Sequence, residues 1–350
     1  MVLRLPRQTF RNIITSPEIL EKVLPENKKI VERYLRNFDT KRSDKSTKVK
    51  RSDLNIFLCW NYLYNENKLI TEIKKYELMD FFDFGVKEMQ WGTSRFYSMH
   101  SSLSTLFDFI VNFLDDDYPR FVNNMKKIEK PVKTFAREKT VLSEEQVNSL
   151  IEHLRETKQQ QQLTYLLLCV GSGARISETL RFTTEVIDEE NVAFDGFFLK
   201  TTEMIKTKGF GKQGTPKYKY IYKQCFWDDY KKWLIEREEI LKRKNKEDHK
   251  AIFINNRGDP ATLDTVNRWV RQWENFLTND EKTNPKHKEI NLYIHCLRHY
   301  LVSLLAKKGI GQELIVAIFG WKSADMYNTY CDLEEDERKY KDIEKLSGVF

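Results

Sequence analysis

The stretch Gly171-Ser-Gly-Ala-Arg175-Ile-Ser-Glu178 interrupts one helical pattern and sets a charged pair at the head of the next. Two glycines within three residues break a helix. Working outward, residues 147–182 read as two helices broken at this point. Ser143 followed by Glu144, Glu145 and Gln146 is an N-cap with a capping-box glutamine and an acidic first turn; Val147, Leu150, Ile151 and Leu154 then recur at helical spacing. Downstream, the aromatic-rich residues 186–224 read as short strands and hairpins. Residues 228–243 form a charged amphipathic helix pattern, and Asn255-Asn-Arg-Gly-Asp259 is a turn signal. From Leu263 the pattern is helical again, with a polar break at residues 283–288. Strands enclosed by helices on both sides predict an α+β domain with a small antiparallel sheet, beginning near Val141.

Residues 126–146 carry the clearest shift in composition. Their core, residues 130–140, is basic, contains a proline and lacks an apolar stripe, so it reads as an interdomain linker. The expected division is a helical domain over residues 1–127, a linker over 128–140 and a second domain over 141–350. In the first domain residues 30–35, 54–64, 70–84 and 97–113 each show i, i+3, i+4 apolar spacing, which predicts a bundle of four or five helices. Residues 39–53 hold six Lys or Arg against three Asp, the densest basic run in the chain. They read as a solvated loop and helix start, or as a face that contacts phosphate. The whole chain is therefore expected to be mainly α.

The 350 residues contain 59 Lys and Arg against 52 Asp and Glu, a formal +7, which permits a polyanionic partner without demanding one. With 13 glycines and 8 prolines, collagen-like and wholly disordered readings are excluded. Cys59, Cys169, Cys225, Cys296 and Cys331 are odd in number and far apart, so neither a disulfide framework nor a zinc site is indicated. No signal-peptide core or membrane-length apolar run is present, and an intracellular protein is expected.

Three constellations in the second domain carry chemistry. Arg175, at the head of a helix, offers a planar fork of donors suited to two phosphate oxygens, with Glu178 three residues on to hold it. His295-Cys-Leu-Arg298-His299 places His295, Arg298 and His299 on one helical face, with Leu297, Leu301 and Leu304 centred opposite. In Gly320-Trp321-Lys-Ser323-Ala-Asp-Met-Tyr327-Asn-Thr-Tyr330, Trp321 and Tyr330 share a site only if the helix breaks between them, with Ser323 as the expected N-cap of a new helix. A tyrosine has an ordinary pKa of about 10, so one acting as a nucleophile requires neighbouring cations.

Arg175-x-x-Glu178, a hairpin lysine, His295-x-x-Arg298, Trp321 and Tyr330, in this order and spacing, resemble the tyrosine recombinase (phage integrase) family. GARISETL is similar to the family's glycine-Arg-x-Ser-Glu-Leu stretch, His-x-Leu-Arg-His is intact, and Phe319-Gly320-Trp321 stands where members commonly show Leu-Gly-His. Trp at that place resembles the Cre and Flp branch. The resemblance covers residues 141–333 by motif, and the N-terminal helices match the family's core-binding domain by type only.

The resemblance implies a site-specific recombinase that cuts and rejoins double-stranded DNA by transesterification, without metal or other cofactor, through a 3′-phosphotyrosyl intermediate. It implies Tyr330 as nucleophile, with Tyr327 as competitor. Arg175 and Arg298 would bind the non-bridging oxygens, Lys208 would protonate the leaving 5′ oxygen and His295 would assist proton transfer. Trp321 would pack and donate to phosphate, Glu178 would support Arg175, and His299 would add a contact. For the lysine, Lys206 and Lys212 compete with Lys208. The implied assembly is a homo-tetramer on paired DNA sites, with no membrane partner. A type IB topoisomerase shares the chemistry, and a catalytically silent DNA-binding protein shares the fold. Phosphate contacts are expected at residues 39–53, 126–139 and 206–223.

Overall fold

The computed structural model describes residues 14–132, 140–207, 209, 214–321 and 323–331. Residues 133–139 of the expected linker core (130–140), Lys208, Lys212 and the chain beyond Cys331 lie outside them. The chain divides into two compact units, whose described parts are residues 14–132 and residues 140–331.

The first unit is helical. It comprises α1 (Pro17–Lys22), α2 (Pro25–Lys41), α3 (Asp44–Tyr64), α4 (Lys75–Lys87) and α5 (Thr93–Phe113), with 3₁₀ turns at Ile70–Glu72 and Asn124–Lys127. Proline occupies the first position of α1 and α2, where no intrahelical donor is lost. Ser43 caps α3 by accepting from the Ser46 N–H. The basic run at residues 39–53 is therefore not mainly a loop. It is the end of α2, a step at Arg42 and Ser43, and the first half of α3. The helix expected over residues 70–84 is likewise divided, because Glu77 accepts the Lys74 N–H at 2.7 Å and starts α4 afresh. Leu54, Phe57, Phe81, Leu103 and Leu106 fill the core. Asp53 is fully buried beside them, held by Arg95 Nη1 at 2.5 Å and Ser102 Oγ at 2.6 Å.

In the second unit α6 (Glu144–Glu156) begins with the expected capping box: Ser143 Oγ accepts from the Gln146 N–H at 3.2 Å and Gln146 Oε1 from the Ser143 N–H at 3.0 Å. A break before α7 (Gln160–Ser172), where Lys158 adopts φ 54°, makes three helical segments where two were expected. The third is α8 (Ile176–Thr179). Tyr165 to Cys169 are all buried in α7, which packs on α6, α9 (Lys223–Arg243) and α11 (Ile294–Lys307), so its apolar run belongs to a helix covered on every side.

Strands β1 (Val192–Ala193), β2 (Phe198–Lys200) and β5 (Tyr220–Tyr222) form one antiparallel sheet in the order β1-β2-β5, with Leu199 opposite Ile221. A separate hairpin pairs β3 (Ile205–Thr207) with β4 (Thr215–Lys217). The remaining helices are α10 (Leu263–Asn279), α12 (Gln312–Phe319) and α13 (Asp325–Tyr330). The protein is thus mainly α with small antiparallel sheets. Among the described residues no helix is long and apolar enough to cross a membrane.

Candidate active site

Two left-handed glycines shape the site. Gly173 (φ 55°) ends α7 and turns the chain so that Arg175 becomes the N-cap of α8. Gly320 (φ 60°) ends α12 and separates Trp321 from the helix that carries Tyr330. The break required between Trp321 and Tyr330 is present. Its cap differs from expectation: Ala324 occupies the N-cap position, and Ser323 Oγ instead donates to the Asp325 carboxylate at 3.3 Å.

Glu178 is fully buried and ties Arg175 down, accepting from Arg175 Nη1 at 2.9 Å and from the Arg175 N–H at 3.2 Å. Lys219, also buried, donates to the other side of the same carboxylate at 2.7 Å. Burial alone would raise the Glu178 carboxyl, but the charges and hydrogen bonds of Lys219 and Arg175 outweigh it and hold the group at about 2.

Arg298, 2% exposed, donates from Nη1 to the Gly173 carbonyl at 2.5 Å. Its guanidinium carbon lies 4.8 Å from the Tyr330 ring centre, 4.9 Å from Phe319 and 5.1 Å from Trp321, an aromatic box around a cation. Burial, then the like charge of Arg175, lowers its pKa to about 10, so it remains charged at neutral pH. Trp321 stacks between Phe319 and Tyr330 at 4.8 and 5.4 Å. Two buried donors here, Arg298 Nε and Trp321 Nε1, meet no acceptor among the described residues.

His299 packs 4.8 Å from the Tyr330 ring and His295 lies 6.3 Å from it. His295 is exposed at the rim. Partial desolvation and the charges of Arg298 and Arg175 push its imidazole below the ordinary value. The expected face of α11 is thus correct for its three polar residues, but the helix is buried from Cys296 to Val302 and Leu301 packs in the Tyr330 cluster rather than opposite it. Tyr327 is as buried as Tyr330.

The structure therefore brings together Arg175, Glu178, His295, Arg298, His299, Trp321 and Tyr330. Lys206 stands on the exposed side of β3, between buried Ile205 and Thr207. Lys208 and Lys212 lie outside the described residues. Sequence reasoning missed Phe319, Lys217, which donates to the Gly320 carbonyl beside Trp321, and Lys219. A signal for Lys219 existed: in Tyr-Lys-Tyr-Ile-Tyr it shares the strand face of Ile221, which is fully buried. Among the described residues no group of three His, Cys, Asp or Glu is placed to hold a metal ion.

Residues 140–337 match the model of the phage integrase family. No curated protein sequence matches the chain. Its fold is similar to that of the Tn1549 transposon integrase in complex with transposon right end DNA, at 16% identity over 91% of this chain and 99% of that one, with a TM-score of 0.66. It is also similar to the XerH site-specific recombinase bound to a palindromic difH substrate, at 17% identity over 84% and 78% of the two chains and a TM-score of 0.61. A lambda integrase dimer bound to a COC′ core site shares the fold at 15% identity, 87% and 94% coverage and a TM-score of 0.57. With the family model spanning more than half of its length, the chain belongs to the phage integrase family, the tyrosine-type site-specific recombinases.

Proposed function

We propose that this protein binds double-stranded DNA and recombines it at specific sites, cutting and rejoining strands through a covalent link between Tyr330 and a 3′ phosphate. The observation that carries the reading is the surrounding of Tyr330: one ring in contact with Arg298, Trp321 and His299, with His295 at the rim and two buried N–H donors left for an acceptor. A phosphodiester supplies such acceptors.

In the proposed step the Tyr330 oxygen attacks phosphorus and the bond from phosphorus to the 5′ oxygen breaks. The tyrosine proton passes to His295, and Lys208 gives a proton to the departing 5′ oxygen. Arg175 and Arg298 neutralise charge on the non-bridging oxygens of the pentacoordinate state, and the Trp321 N–H donates to one of them. Glu178 orients Arg175, and His299 packs the nucleophile. Attack of a second strand's 5′ hydroxyl reverses the same chemistry, so the phosphoester energy is conserved and no cofactor is consumed. Exchange between two duplexes needs four such cleavages, which fits a homo-tetramer acting inside the cell on paired sites. The helical first unit supplies further, mostly phosphate, contacts, making binding strongly salt-dependent.

The test is covalent capture on nicked fragments of the source genome, with the trapped ends sequenced. Tyr330→Phe is expected to abolish the adduct and Tyr327→Phe to preserve it. The reverse result would refute the assignment, and a wild-type chain that forms no adduct would refute the activity.

A further inference from the structure

Behind Arg175 lies a buried charge cluster with one member that the proposed chemistry leaves without a role. Lys219 is 7% exposed, and its ammonium donates to Glu178 Oε2 at 2.7 Å while Arg175 Nη1 holds Oε1 at 2.9 Å. The lysine's backbone is pinned at both polar groups to Thr201: its N–H donates to Thr201 Oγ1 at 3.0 Å and its carbonyl accepts the Thr201 N–H at 2.9 Å. An ammonium held this rigidly away from water costs free energy, and a chain that needed only to fill the space would use an apolar side chain. Its pKa is pushed down, by burial first and also by the charges of Arg298 and Arg175, while Glu178 opposes the shift. The Glu178 carboxylate, at 2.7 Å, thus faces the ammonium against two nearby guanidinium groups.

The formal charges explain what the cluster does. Arg175 and Glu178 alone would form a neutral pair, with the guanidinium drawn onto its own carboxylate. Lys219 engages that carboxylate from the other side, so the three residues together carry +1, and Arg175, 22% exposed, keeps attraction for an outside anion.

We propose that Lys219 is a positioning residue for strand cleavage, holding Glu178 so that Arg175 is both fixed and free to bind the scissile phosphate. This role rests on the reading of Arg175 and Tyr330 given above.

The experiment uses the full chain and a nicked fragment captured by the wild type. Single-turnover adduct formation and DNA affinity are measured for Lys219→Met, Glu178→Gln and the double variant, with urea unfolding as the check on folding. Lys219→Met should slow adduct formation by about 10- to 100-fold, as displaced catalytic groups do, with DNA affinity within about threefold of wild type. Adding Glu178→Gln, which removes the stranded carboxylate, should return the rate to within about threefold of Glu178→Gln alone, because residues in one charge network are not additive. That rescue would not occur if Lys219 served only packing or donated the proton itself. A Lys219→Met chain as fast as wild type, or a double variant as slow as the product of the single losses, overturns the proposal. Should Lys219→Met fail to fold, the comparison of Glu178→Gln with the double variant decides it: equal rates support the role and a further loss overturns it. A wild-type chain without a Tyr330-dependent adduct overturns the functional reading and this role with it, a result distinct from a cleaving wild type matched by Lys219→Met.

Discussion

Replacing Gly173 by alanine tests whether the left-handed turn before Arg175 sets the geometry of the whole site. The residue has φ 55°, where an L side chain costs about 1–2 kcal/mol. A Cβ at this position would also overlap the Phe319 ring, with Cζ only 2.8 Å away, and forcing an aromatic ring aside in a packed interior costs about 1–3 kcal/mol. The expected destabilisation is the sum, about 2–5 kcal/mol. Gly196 supplies the control, since its φ is 85° and nothing lies within 4 Å of an added Cβ. Gly196→Ala should therefore show only the conformational part, about 1–2 kcal/mol. Urea unfolding of both variants at constant slope measures the two costs, and their difference isolates the collision with Phe319. The displacement should reach Tyr330 as well, because Phe319 stacks on Trp321 at 4.8 Å and Trp321 on Tyr330 at 5.4 Å, while the Gly173 carbonyl holds Arg298. Adduct formation by folded Gly173→Ala should fall while that of Gly196→Ala stays at the wild-type rate. A Gly173→Ala variant no less stable than Gly196→Ala would refute the reasoning.

The pH dependence follows from two groups. Partial burial, Arg298 and Arg175 lower the His295 pKa below its ordinary 6.5, so the imidazole is neutral and able to accept the tyrosine proton at pH 7. Single-turnover cleavage should hold steady from pH 8 down to about 6.5 and fall below it, and His295→Gln should flatten that limb; a wild-type rate already falling through pH 7 would contradict this. For Glu178 the folded-state pKa is depressed to about 2, so its contribution to stability is complete above the ordinary carboxyl value and is lost as the pH falls toward 2. A shift of this size corresponds to about 3 kcal/mol at neutral pH, of which about 2 kcal/mol is gone by pH 3. The stability gap between wild type and Glu178→Gln should narrow by that amount between pH 7 and pH 3 in urea unfolding, and a gap that does not narrow would sink the assignment.

How much of this was legible depended on whether a property is written locally. The start of α6 is a property of four adjacent residues, and Ser143 and Gln146 form the bonds their spacing predicts. The same holds for the glycine turn before Arg175, the shared face of His295, Arg298 and His299, and the break after Gly320. Each needs only helix geometry and a residue that stops it. The misreadings share the opposite cause. The basic run at residues 39–53 reads as a solvated loop and helix start because its one apolar residue is Val49, which is exposed, so no apolar stripe marks it as helix, yet it is mostly helix. Asp53 within it is buried by pairing with Arg95, 42 residues away in sequence. Composition cannot register a partner at that distance.

Lys219 shows the limit most sharply, and it bears on how the site works. A lysine at the head of an aromatic strand reads as solvent-facing, since lysines are almost never fully buried without a partner. The partner, Glu178, precedes it by 41 residues and was itself read as serving Arg175 alone. Once both cations are seen on one carboxylate, the site is no longer two arginines around a tyrosine. Arg175 is fixed by a three-residue charge cluster and Arg298 by the Gly173 carbonyl and an aromatic box, so each guanidinium is held by contacts that do not involve the substrate. In the proposed reaction, preorganisation of this kind would lower the barrier, because the charges would not need to reorient as the pentacoordinate phosphate formed. It also explains why the motifs alone underdetermine the chemistry: the groups that would touch phosphate are written in short local patterns, while the groups that hold them still are scattered across the strands and turns that the fold brings behind them.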